Sequence, residues 1–367
     1  MPWKILLPKL LFLATTRLGL SQGQPTLVVS PASLTFNVLA SGRSAPAPPQ
    51  IIDLTSTTSP IEVSFNTVVL TGAPWLLVSP STGQTPAALV VNAYPIGLAV
   101  GTYNGMIAII PVGSSGIAVP ITLTIQPPTI TASVNAASFL NQAILPGEVV
   151  SIFGTAIGPP AALQIQLDST GKVSTSLGNV QVLFSGRLAP LTYVNATQIN
   201  CVVPYEIVGI SNPSVQVNNS GQASNTIELT SALTSPGIFA TNGTGQAAIL
   251  NQDGSVNGPI NPEAVGNIVS LFMTGEGQTA PPGITGSVTC QGGCNTLQQI
   301  PVPLQPVTAV IGNQPATVTF YGEAPGLVAG VLQVNLQIPP NTPAGTIPLA
   351  ISVGGTQSQT GVTLSVR

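Results

Sequence analysis

The side chains that could do chemistry in this chain are few: 10 Asp and Glu, 7 Lys and Arg, 3 Cys and no His in 367 residues. Without histidine the usual neutral-pH base is missing. That excludes Ser-His-Asp and Cys-His catalysis as normally built, and every zinc site that needs imidazole. Three cysteines do not complete a four-thiolate zinc site either. What remains is carboxylate chemistry. A glycoside hydrolase needs two carboxylates facing one sugar, about 5–10 Å apart. The candidates are Glu148, Glu206, Asp253, Glu263, Glu276 and Glu323, which the sequence scatters over loops. Glu276, held between Gly275 and Gly277, is the most distinctive. A carboxylate in such a loop suits Ca²⁺, shared with Asp253 or Asn257, and equally suits capping of backbone N–H groups. An internal repeat, described below, sets Ile157 opposite Glu276 and Asn267 opposite Glu148, so no acid site is duplicated. A carboxylate-pair hydrolase is therefore the remote reading. No catalytic residue, metal or cofactor is expected, and the chain reads as a non-enzyme.

Cysteine and aromatic residues carry the remaining candidates. Cys290-Gln291-Gly292-Gly293-Cys294 forms a Gly-rich loop, where a small disulfide is the simplest reading; a metal pair would lack further Cys or His to complete its shell. Trp75 and Tyr94 are the candidate binding residues, because a sugar ring packs its C–H groups on an exposed aromatic face. For Trp75 the competing reading is a ring filling the core of a sandwich, and large apolar rings are mostly buried. Tyr94, beside Pro95, is the better exposed candidate. Tyr103, after Leu98-x-x-Gly101, looks like a tyrosine corner with its hydroxyl on nearby backbone. Asn195, Asn218 and Asn242 each open a glycosylation triplet.

These residues must be positioned by strands. Charged residues are 5% of the chain, against about 25% in ordinary proteins. Lys4, Lys9 and Arg17 lie in the first twenty residues, and only Arg43, Lys172, Arg187 and Arg367 follow. This leaves no electrostatic footprint for nucleic acid and no polybasic membrane patch. Hydrophobic residues (44%) alternate with Thr, Ser, Asn and Gln, and 38 Gly with 36 Pro supply turns. Residues 1–21 read as a secretory signal peptide, a short basic region followed by an apolar one. No later segment is long and apolar enough to span a membrane. The expected location is extracellular or at the cell surface.

Alternating runs over Ser33–Ala40, Gln50–Thr55, Ile61–Leu70, Ala87–Ala93, Asn104–Pro111 and Ile117–Gln126 predict strands, closed by Pro127-Pro128. An internal repeat follows. Gly147-Glu-Val-Val-Ser-Ile-Phe153 matches Gly266-Asn-Ile-Val-Ser-Leu-Phe272, and Gln198-Ile-Asn-Cys-Val-Val-Pro204 matches Gln333-Val-Asn-Leu-Gln-Ile-Pro339. Period two turns Ile199, Cys201, Val203, Val334, Leu336 and Ile338 inward, which makes Cys201 a core thiol. Ala247–Asn251 and Ser255–Asn257 predict a hairpin around Asp253-Gly254. The predicted organisation is an all-β chain of tandem immunoglobulin-like β-sandwiches: residues 25–127, a lobe over 129–238 and a lobe over 239–367. No flexible linker separates the lobes at Pro236–Phe239, so they are predicted to fold as one unit across an apolar surface.

The motifs Ser133-Val-Asn-Ala-Ala-Ser-Phe139, Ile152-Phe-Gly154, Ala248–Val256, Thr274-Gly-Glu-Gly-Gln-Thr279, Gln314-Pro-Ala-Thr317, Ala324-Pro-Gly-Leu327 and Gly361–Arg367 resemble a family of uncharacterised acidobacterial C-terminal domains. The resemblance implies lobes with the TIG/IPT fold and carries no known activity. Pro74-Trp75-Leu76, Ser79-Pro-Ser-Thr-Gly83, Leu98-x-x-Gly101-Thr-Tyr103-x-Gly105 and Val119–Ile125 resemble the BACON family. That resemblance implies carbohydrate or mucin binding by 25–127. The function expected from all this is a secreted or cell-surface binding or adhesion module, with a glycan or a cell-surface protein as partner. The alternative is a structural spacer or assembly domain.

Overall fold

The computed structural model describes residues 25–40, 45–58, 61–241, 245–294 and 296–367. The signal-peptide reading over 1–21, Arg43 and Asn242 lie outside the described residues. The chain is all-β and built of immunoglobulin-like sandwiches. Among the described residues there is no α-helix, and none is long and apolar enough to cross a membrane.

The described chain divides into two compact units. The first takes the residues up to Thr35 with Pro48–Ala93 and Asn104–Thr122; the second takes Phe36–Ala47, Tyr94–Tyr103 and Leu123–Arg367. In the first, strands Leu27–Ser30, Gln50–Ser56, Ala87–Ala93 and Leu76–Ser79 lie in that order in one antiparallel sheet. Beside that sheet, Ser64–Thr71 pairs antiparallel with Thr82–Gln84 on one side and with Met106–Pro111 on the other. Alternation puts Ile52, Leu54, Leu89, Val91, Ile107 and Ile109 inside with no exposure, and Ala108 between the last two is buried as well.

The two copies of the repeat build equivalent strand pairs. Val149–Thr155 pairs antiparallel with Gln198–Val202, setting Val150 against Cys201 and Ile152 against Ile199. Ile268–Thr274 pairs with Leu332–Gln337, setting Val269 against Leu336 and Leu271 against Val334. Ile199, Cys201, Val203, Val334, Leu336 and Ile338 all show 0% exposure, so the inward assignment holds at every position. In the first half a separate sheet is centred on Val180–Phe184 with Ser214–Asn219, whereas in the second Val307–Ile311 and Gly345–Val353 continue the same nine-stranded sheet through the long strand Gln314–Glu323. Each half closes its own apolar core. A third cluster lies between them, with Val149, Val173 and Val202 from one half and Val328, Val331, Val288 and Phe239 from the other. All of 123–367 belongs to one compact unit.

Candidate functional site: carboxyls buried between the two C-terminal halves

Next to that apolar seam, the fold collects acids that the sequence scatters. Glu148, Glu276 and Glu323 are each 1% exposed. Glu148 follows Gly147, whose φ of 82° suits glycine at the turn entering Val149–Thr155. Its Oε1 accepts from Asn135 Nδ2 at 2.8 Å, and its Oε2 accepts from the Leu145 amide at 3.1 Å. Burial pushes its carboxyl up to about 8, with those two hydrogen bonds opposing.

Glu323 ends the strand Gln314–Glu323. Its Oε1 accepts from the Tyr205 hydroxyl and its Oε2 from Thr289 Oγ1, both at 2.8 Å. Burial raises its pKa, and both hydroxyls pull it back. Glu276 differs from both. Neither of its carboxyl oxygens has a hydrogen-bond partner. Burial pushes it well above the ordinary range; the nearby amides of Glu276 and Gly275 oppose this, while Glu323 and Glu148 push it further up.

Tyr205 ties the cluster together from the first half. It sits on a 3₁₀ turn after the repeated strand, and its ring lies between Gly147 and Gly283. A Cβ on either glycine would fall 2.5 Å or 2.2 Å from Cζ of the ring. Its amide donates to Thr285 Oγ1 at 2.9 Å, and that hydroxyl donates to Glu206 at 2.6 Å. A further bond crosses the seam: the Val149 amide donates to Thr274 Oγ1 at 2.9 Å. Within the second half Thr274 Oγ1 donates to the Gly330 carbonyl at 2.7 Å, and within the first Asn135 Nδ2 donates to the Ser235 carbonyl at 3.0 Å.

This arrangement brings together acids that are scattered in the sequence, yet it does not make a hydrolytic pair. A glycosidase needs its carboxylates in a cleft that admits a sugar and water; these are sealed, and two of them are already committed to side-chain or backbone donors. Among the described residues no group of three acids or thiols is arranged to hold a metal ion. The Ca²⁺ pairing of Glu276 with Asp253 or Asn257 is not formed. Asp253 is in an exposed turn, accepting from the Ser255 amide at 2.9 Å and its hydroxyl at 2.5 Å. Asn257 commits its amide group to Asn251 and the Ser365 backbone. Glu263 accepts from the Gln252 and Ala264 amides and from Asn267.

Trp75 is corrected as a binding residue. It is 7% exposed, and a Cβ on Gly105 would lie 3.0 Å from its ring, so the indole fills the sandwich interior and offers no face to a sugar. Tyr94 is half-buried just after the strand Ala87–Ala93. The Tyr103 hydroxyl donates to the Ala99 carbonyl at 3.0 Å, the tyrosine corner its spacing predicted. Cys290 and Cys294 are disulfide-bonded, with Cα atoms 4.9 Å apart. Cys201 is a free, buried thiol that burial holds far above its ordinary pKa.

No family model matches the chain, and no curated protein matches its sequence. Among solved structures it is similar to a mixed-linkage glucan utilization locus protein of Bacteroides ovatus, SGBP-B, in complex with a mixed-linkage heptasaccharide. The identity is 12%, over 94% of this chain and 70% of that one, with a TM-score of 0.26. It is also similar to an I-band fragment of titin, at 8% identity over 93% of this chain and 97% of that one, TM-score 0.22. A xyloglucanase of Bacteroides ovatus matches 41% of this chain at 11% identity and TM-score 0.22; the chain spans 30% of that enzyme's length. These are likenesses of fold alone.

Proposed function

We propose that the chain is a non-catalytic extracellular binding or adhesion module. The observation that supports this most is the burial of Glu148, Glu276 and Glu323: the acids that the fold brings together are shut away from any substrate. With no histidine in the chain and Cys201 buried, neither a His-activated hydroxyl nor the free Cys201 thiol replaces them. The BACON-like motifs point to a glycan partner for 25–127, and Tyr94 is the aromatic side chain left to meet it. Glycan-array binding by the full chain, weakened at least tenfold in Tyr94→Ala, would support the glycan version. Release of reducing sugar from any bound glycan would overturn the non-catalytic reading.

The seam favours a second reading, a structural spacer. Two sandwiches locked by Val149, Val202, Val328 and Phe239 transmit force and hold an angle better than two beads on a linker. A chain that binds no glycan and no cell-surface protein, while still assembling with partner subunits of a larger exported complex, would decide for the spacer.

A further inference from the structure

We infer that the seam between the two C-terminal halves is an acid-set clasp, which closes with the Glu148, Glu276 and Glu323 carboxyls uncharged and loosens as they ionise. The carboxyls come from both sides: Glu148 from the 129–238 half, Glu276 and Glu323 from the 239–367 half. Each is 1% exposed. A buried charge is tolerated only when it is paired, and an unpaired one strongly disfavours the closed state.

Among the described residues no counter-charge faces them. The groups packed around Glu276 are Glu148 on its turn, Glu323 on its strand end and the phenol of Tyr205 on its 3₁₀ turn. Thr289 and Asn135 add neutral donors to Glu323 and Glu148. Glu206, next to Tyr205 in the chain, is exposed and accepts from Thr285. Among the described cations, Lys172 acts on Asp168 and Arg367 on Asp253, both at the surface, and Arg187 is exposed on a hairpin. Ionising Glu276 therefore places an unpaired negative charge beside two more carboxyls, and ionising Glu148 or Glu323 leaves a buried charge met only by neutral donors.

The backbone holds Glu276 in this position. Gly275 and Gly277 have φ of 86° and 85°, and a Cβ on them would lie 1.9 Å from the Ser235 carbonyl oxygen and 2.2 Å from that of Leu233. The loop is pressed against Ser235 and Leu233 of the first half, and with the seam shut the Glu276 carboxyl has almost no contact with water.

The direction with pH follows from proton linkage. A carboxyl whose pKa is raised on closing binds its proton more tightly in the closed state. Its stabilising contribution is complete below the free value of 4.5 and is lost as pH rises toward the closed-state value, about 8 for Glu148. Across that window each such group weakens closure by up to about tenfold per pH unit. Glu276 and Glu323, both raised, act in the same sense.

Hydrogen exchange on the full chain tests this, corrected for intrinsic rates and followed at pH 5, 6.5 and 8. The reporter is the Val149 amide, which bonds across the seam to Thr274; the control is the Val217 amide, which bonds inside the first half to Ser224. Val149 protection is expected to fall at least tenfold from pH 5 to pH 8 while Val217 protection holds. In Glu276→Gln, a neutral isostere, the fall should shrink severalfold and protection at pH 8 should exceed that of the parent. Glu148→Gln, which keeps an acceptor for Asn135, should act in the same direction and serves if the first variant folds poorly. Equal Val149 protection at pH 5 and pH 8, or the same fall in parent and both variants, would overturn the clasp.

Discussion

At the residue scale, the seam is an arrangement of glycines around one phenol and three carboxyls. Gly330 has φ of 101°, and a Cβ there would lie 1.9 Å from the Gly147 carbonyl oxygen. Because that obstacle is backbone, Gly330→Ala must shift the seam itself, and we expect a loss of about 1–3 kcal/mol or more in denaturant unfolding. Tyr205→Phe leaves the shape intact but removes the hydroxyl that donates to Glu323, stranding a buried acceptor at a cost of about 1–3 kcal/mol in the same measurement. Single residues with local geometry were legible in the sequence. Asp253 in its turn, Tyr103 in its corner and Cys201 in its core position each obey a rule written within a few residues. Tyr205 and the acid cluster were not, because their partners lie up to 118 positions away. One signal was present all the same. Aligning the two repeats sets Tyr205 against Pro340, Glu148 against Asn267 and Glu276 against Ile157, so the seam residues are positions where the copies differ. Trp75 was ambiguous because a large ring suits both a core and a platform, and only the approach of Gly105 decides between them.

At the element scale, the repeated strands were the most legible part. Their alternation fixes which face is inward, and their pairing follows from the order of the motifs. Short elements were not: Leu76–Ser79 and Thr82–Gln84 carry too few residues for a periodic signal, and their register is set by neighbours far along the chain. The Cys290–Cys294 loop belongs to this scale. It closes only a short loop, so the chain-entropy gain is small, about 2 kcal/mol. Its second effect is positional, because Thr289 immediately precedes it and donates to Glu323. Reduction should lower the melting temperature by a few degrees and leave the circular dichroism of the sheets unchanged. Cys201 should stay unlabelled by an alkylating reagent in the native protein, before and after reduction, since it is buried in the first half's core.

At the scale of the whole molecule, residues 129–367 fall within one compact unit. The cluster formed by Val149, Val173, Val202, Val328 and Phe239 would face water if the halves separated, and so would the three carboxyls. A half expressed alone would carry that apolar strip on its surface, which favours association over a stable monomer. No run of Ser and Gly interrupts Pro236-Gly237-Ile238-Phe239, and Gly237–Ile238 enters the sheet of the second half directly, pairing with Thr274 and Met273. Scanning calorimetry of residues 129–367 at pH 5, where the carboxyls are uncharged, tests this claim most directly. The account predicts a single cooperative transition whose calorimetric and van't Hoff enthalpies agree. Two separated transitions, each matching that of an isolated half, would contradict it.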